Sequence, residues 1–87
     1  MQIWLRCNQA SEGMFPNEIG VESENSNRQK FSLFVDKRII KKENGELYLK
    51  VSLLEKGKKE STILLPSDPY GVNSRIVVVP NSLLKDT

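Results

Sequence analysis

At 87 residues, with 38% apolar and 28% charged side chains, the chain has room for one folded domain with a compact core and a stability of a few kcal/mol. Its apolar residues fall in short separate runs, none near the ~20 residues of a membrane span, and the N-terminus lacks a basic region followed by an apolar one. Net charge is +2, there is no histidine and there is one cysteine, which excludes an imidazole base, a cysteine-rich zinc site and an internal disulfide framework.

The lone Cys7 favours a reducing compartment, so the expected location is cytoplasmic. Charge is unevenly spread. Residues 1–27 carry Arg6 against Glu12, Glu18, Glu22 and Glu24, whereas residues 28–60 carry ten basic and five acidic side chains.

Residues 2–7 alternate Ile3, Leu5 and Cys7 against Gln2, Trp4 and Arg6, which predicts a first strand with Trp4 on its polar side. Trp4 there is either packed under a loop or part of a contact surface. Residues 8–17, NQASEGMFPN, have loop composition, punctuated by Gly13 and Pro16. Met14 and Phe15 inside it either fold back to plug one end of the core or form an exposed recognition tip. The plug is favoured, because exposing both forgoes roughly 3 kcal/mol of burial.

A second strand is expected over 18–23, with Ile19 and Val21 inward, followed by a polar hairpin loop, ENSNRQ. Three apolar runs then span Phe31 to Leu65, with strands expected over 30–42, 46–55 and 59–66. In the middle one Leu47, Leu49, Val51 and Leu53 recur at every second residue. Asn44-Gly45 is a strong hairpin signal, since a type I′ turn needs positive φ at both central residues. A two-residue loop there pairs Glu43 with Glu46, Ile40 with Leu49 and Arg38 with Val51. Unbroken pairing would put Phe31, Leu33 and Val35 on the face opposite Leu49, so a bulge near Asp36–Arg38 is expected.

The EKGKK turn lifts Lys56, Lys58 and Lys59 together, and SDPYG is a turn by mechanism, with Pro69 presetting φ. A last strand is expected over 74–80. Its RIVVVP run leaves neither face polar, which suits a strand covered on both sides. Asn81 or Ser82 is placed to cap a short helical turn carrying Leu83 and Leu84.

The expected fold is therefore all-β: a five- or six-stranded antiparallel curled sheet or barrel with a short C-terminal helical turn. It resembles SH3-like small barrels in strand count, meander and length, a likeness that carries no function. No phosphate-binding glycine loop appears, and no carboxylate pair is placed to converge, so the expectation is a non-catalytic domain without cofactor or metal.

Two functional classes remain. Surplus apolar residues opposite the expected core positions (Trp4, Phe34, Leu54, Ile63, Leu65, Val77 and Val79) suggest a protein partner or self-association, with Trp4, Met14, Phe15, Val77 and Val79 as candidate contacts. The alternative is a nucleic-acid-binding barrel. Its candidate contacts are Lys37, Arg38, Lys41, Lys42, Tyr48, Lys56, Lys58 and Lys59, the bases neutralising phosphates while aromatics stack on nucleobases. Lysines that guard edge strands against aggregation explain the same pattern without a ligand.

Overall fold

The structure, a computed structural model, describes residues 1–86. Eight strands are present: β1 (Gln2–Glu12), β2 (Glu18–Glu24), β3 (Lys30–Asp36), β4 (Ile40–Glu43), β5 (Glu46–Lys56), β6 (Glu60–Leu64), β7 (Ile76–Pro80) and β8 (Leu84–Lys85). All pair antiparallel, in the order β3-β2-β1-β5-β6-β7, with β4 alongside β5 and β8 alongside β1. The result is an all-β, antiparallel, curled half-barrel.

The organising strand is β1. Its first half pairs with β5 on one side and touches β8 on the other, whereas its second half, from Asn8 onward, pairs with β2. A register shift between Gln9 and Ser11 bends it as it passes between the two groups of strands. β1 is thus five residues longer than the expected 2–7, and residues 8–12 are strand rather than loop.

One side of every long strand faces inward. Ile3, Leu5 and Cys7 from β1 meet Ile19 and Val21 from β2, Phe31, Leu33 and Val35 from β3, Leu47, Leu49 and Val51 from β5, Ile63 and Leu65 from β6 and its exit, and Val77 and Val79 from β7. All these inward positions are odd-numbered. That parity survives the β5–β6 hairpin because the ladder shifts between Leu53 and Glu55, so Leu53 faces Ile63 and the extra residue, Leu54, is pushed outward.

The Asn44-Gly45 hairpin has the expected register, Glu43 opposite Glu46 and Ile40 opposite Leu49, with φ of 54° and 80° at the two turn residues. The interruption before it is a 3-10 turn, Lys37–Ile39, in place of a one-residue bulge, and it has the expected effect. Val35 is buried before it and Ile40 packs against the same core after it. Asp36 caps this turn by accepting from the Arg38 amide at 2.8 Å. The break also sends β3 to pair with β2 while β4 pairs with β5, so Arg38 lies outside the β4–β5 ladder instead of opposite Val51.

Both ends of the sheet are covered by loops. Ser32 on β3 exchanges two backbone hydrogen bonds with Tyr70 (3.0 and 2.7 Å), and the Ser67 hydroxyl donates to the Phe34 carbonyl at 3.0 Å. At the other end the Ser26 amide donates to the Val78 carbonyl at 2.8 Å, and the Ile76 amide donates to the Ser74 hydroxyl at 3.0 Å. The C-terminal turn, Asn81–Leu83, is a 3-10 turn without a side-chain cap. Asn81 instead donates to the Gly57 carbonyl at 2.9 Å and accepts from the Ser61 hydroxyl at 2.6 Å.

Candidate functional site

The sequence candidates are scattered over the half-barrel and do not form one surface. Val77 and Val79 are not on the surface at all. They are 6% and 0% exposed, and the assignment of these two to a contact surface is corrected. The cause is parity: pairing of β6 with β7 sets Ile63 opposite Val77 and Ser61 opposite Val79, with these side chains inside, and turns Ile76 and Val78 outward. Ile63 and Leu65, expected outside, are fully buried for the same reason.

Met14 and Phe15 are 85% and 62% exposed, so the expected plug is corrected to a tip. The extra length of β1 carries the turn beyond the core. The turn is ordered by its own bonds: the Gly13 amide donates to the Glu18 carbonyl at 3.2 Å, the Glu18 amide to the Phe15 carbonyl at 3.0 Å, and the Met14 amide to the Glu18 carboxylate at 3.0 Å.

The first face with chemical character is the outer side of β8, β1, β5 and β4. Pairing aligns Lys85, Trp4 and Lys50 in one cross-strand row and Arg6, Tyr48 and Lys41 in the next. Trp4 is half-buried, as a packed tryptophan should be, but its cover is a lysine instead of a loop. Lys41 Nζ lies 4.4 Å from the Trp4 ring centroid, and Lys85 Nζ lies 5.2 Å from that of Tyr48. Such exposed cation–π contacts contribute about 0.5–1 kcal/mol each. Glu43 pairs with Lys85 and, at 3.6 Å, with Lys41, while Arg6 and Glu46 approach to 4.0 Å. Four cations thus face two carboxylates, and among the described residues Lys50 forms no ion pair.

Of the basic candidates, Lys41 and Tyr48 belong to this face. Arg38 is tied to Asp36 by two side-chain bonds of 2.9 and 3.1 Å, which hold the Asp36 carboxyl below its usual range and raise the guanidinium in turn. Lys37 stays in that turn, and Lys42 sits opposite Leu47, off the Trp4 face. Lys56, Lys58 and Lys59 lie at the far end of β5, about 25 Å along the strand from Tyr48 at the usual rise. The basic residues expected from local sequence therefore divide into four places. Lys50 and Lys85 were missed because only cross-strand pairing brings them beside Trp4, whereas Arg6, two residues along β1 on the same side, was already next to it in the sequence.

The second face is the outer side of β5, β6 and β7. Ser52, Leu64 and Ile76 form one row, Glu55, Thr62 and Val78 the next, and Leu54 projects from the bulge beside them. Glu55, at the β5 end of its row, is the one charged residue among these seven. Leu54, Ile76 and Val78 are 50%, 53% and 38% exposed, and Leu64 is half-buried. The RIVVVP strand, expected to be covered on both sides, is covered on one: Val77 and Val79 are inside, while Ile76 and Val78 are exposed because no loop or helix among the described residues lies over them.

Cys7 lies in the core, where burial pushes its thiol up to about 12 against a partly offsetting hydrogen bond with Ser23. It is a small apolar core residue rather than a nucleophile. Among the described residues no group of cysteines and carboxylates is arranged to hold a metal ion, and no helix is long and apolar enough to cross a membrane. No family model, curated protein or solved structure matches this chain.

Proposed function

We propose that the protein is a small non-catalytic interaction domain that docks on a protein partner through the outer face of β5, β6 and β7. The observation that carries this is the apolar patch of Leu54, Leu64, Ile76 and Val78, spread over three strands with Glu55 at its β5 rim. The Lys85–Trp4–Lys50 row is a contrast, since its two lysines keep that part of the sheet face in water. Exposed apolar surface of this kind marks interfaces more often than free surface.

The contact is face-on. Strand addition at the β7 edge is disfavoured, because Ser26 already takes the Val78 carbonyl and Pro80 has no amide to give. The Met14–Phe15 tip stands at the end of the β1–β2 hairpin as a separate exposed apolar element. A single buried thiol fits work in a reducing compartment such as the cytoplasm.

The test is an Ile76→Lys, Val78→Lys double change, which adds charge outside the core. The expected result is a folded protein, by circular dichroism and melting, that loses the cross-linked partners captured by wild type from its native cells, or loses self-association in sedimentation. Identical capture and identical sedimentation by a folded double variant would overturn the proposal.

A further inference from the structure

The Trp4 face is a different surface from the patch on β5, β6 and β7, and its composition calls for a different ligand. We infer that the outer side of β8, β1, β5 and β4 binds single-stranded nucleic acid, with bases stacked on Trp4 and Tyr48 and phosphates held by Arg6, Lys41, Lys50 and Lys85.

Two aromatic rings sit on adjacent rows of neighbouring strands. Trp4 is opposite Lys50, which makes Tyr48 its diagonal neighbour, about 7–8 Å away between backbones. Successive nucleotides of an unstacked strand span such a step. The four cations come from four strands, β1, β4, β5 and β8, so they surround the rings instead of lining one edge. Lys50 stands opposite Trp4 and two residues along β5 from Tyr48, and has no acidic partner among the described residues.

In the free protein the rings are covered by Lys41 and Lys85, and both lysines are held by Glu43. A strand laid on this face offers each component a stronger partner. The phosphate takes the ammonium from Glu43, and the base takes the ring that the lysine leaves; base stacking on an aromatic ring exceeds an exposed cation–π contact. An acidic peptide would satisfy the lysines but has nothing planar to place on the two rings, which is why nucleic acid is the favoured occupant. Glu43 and Glu46 oppose either anion, so removing one of them should strengthen binding.

Trp4 is the only tryptophan in the chain, so its emission reports on this face directly. The experiment is a titration with labelled oligothymidylate at about 50 mM salt, following probe anisotropy and Trp4 emission together. The expected result is quenching with the same midpoint as the anisotropy change. Tyr48→Leu should weaken binding about tenfold, Lys50→Gln should lower the salt slope by about 0.7, and Glu43→Gln should tighten binding. If Tyr48→Leu fails to fold, the Lys50 and Glu43 variants, both at surface positions, decide the matter. No anisotropy change at tens of micromolar, binding without quenching, or binding that Glu43→Gln leaves unchanged would overturn the inference. Equal quenching by polyglutamate would assign the face to acidic peptides and overturn it as well.

Discussion

The Ser26 amide donates to the Val78 carbonyl at 2.8 Å, tying the turn between β2 and β3 to the last long strand. It has a counterpart in Ser32 and Tyr70, where the loop between β6 and β7 returns to β3. The two ends of the sheet are therefore each covered by the loop that belongs to the other. This reciprocity curls the sheet around its core and leaves short protected edges in place of a free strand.

Gly71 is where the second of these loops comes closest to β3. Its φ is +98°, and a Cβ there would lie 2.4 Å from the Lys30 carbonyl oxygen, which is backbone and cannot swing away. Gly71→Ala should cost about 2 kcal/mol or more, from strain and clash together. Gly45 has φ +80° but nothing within 4 Å, so Gly45→Ala should cost about 1 kcal/mol from backbone strain alone. Urea unfolding of the two variants measures the difference, and equal midpoints would show that the loop does not pack on β3.

The parity of β7 makes an alternating pattern of costs. Val77 and Val79 are core residues, so truncating either to alanine should cost about 2–3 kcal/mol. Ile76→Thr and Val78→Thr change outward side chains and should stay within about 0.5 kcal/mol. Chemical denaturation of the four single variants reads the pattern directly. A reversed order would place the wrong pair inside.

How far the fold was legible follows from which interactions are local. Asn44-Gly45 specified both turn and register within a few residues, so Ile40 opposite Leu49 was readable from sequence. The need for a break near Asp36 was readable too, because only a break reconciles Val35 with Leu49 on one core. What could not be read is pairing between distant segments. Residues 8–12 have loop composition, yet they are strand because β2 supplies hydrogen-bond partners. RIVVVP has no internal signal of parity; the Leu54 bulge, 21 residues before Arg75, decides which valines turn inward. The same limit applies to function. Tyr48 and Lys41 were visible as candidates, but Lys50 and Lys85 meet Trp4 only after three strands have paired.

The capped turn at Asp36 should leave a signature in acid. Arg38 donates to this carboxylate from its side chain and its amide, and these bonds hold the carboxyl below its ordinary 3.8. A depressed carboxylate stabilises the fold above the unfolded value and loses that contribution as pH falls through the folded one, so the relevant window lies below 3.8. Asp36→Asn should be less stable than wild type at neutral pH, and the gap should narrow as the medium is acidified through that window. Urea midpoints at a series of pH values check this, and a constant gap would show that the ionised carboxylate is not what stabilises the turn.

Cys7 provides the opposite sign at the alkaline end. Its thiol is 4% exposed, beside a Ser23 hydroxyl that donates to the Arg6 carbonyl at 3.0 Å, and burial pushes it from 9.0 up to about 12. In the native state it should resist alkylation at mildly alkaline pH and react at once when denaturant unfolds the chain, so its labelling rate measures opening of the core. A group raised on folding stabilises the native state fully below its unfolded value. That contribution is lost as pH climbs from 9.0 through about 12, at up to roughly 1.4 kcal/mol per pH unit. Lysines and tyrosines titrate over the same range, so the informative quantity is the difference between wild type and Cys7→Ala. The alanine variant should be less stable at neutral pH, since it leaves a small cavity beside Leu5 and Val21, and the difference should shrink or reverse above pH 9.0. Rapid alkylation of the native protein, or a difference that stays flat with pH, would mean that the thiol is open to water and that the junction where β1 passes between its two groups of partners is looser than its packing indicates.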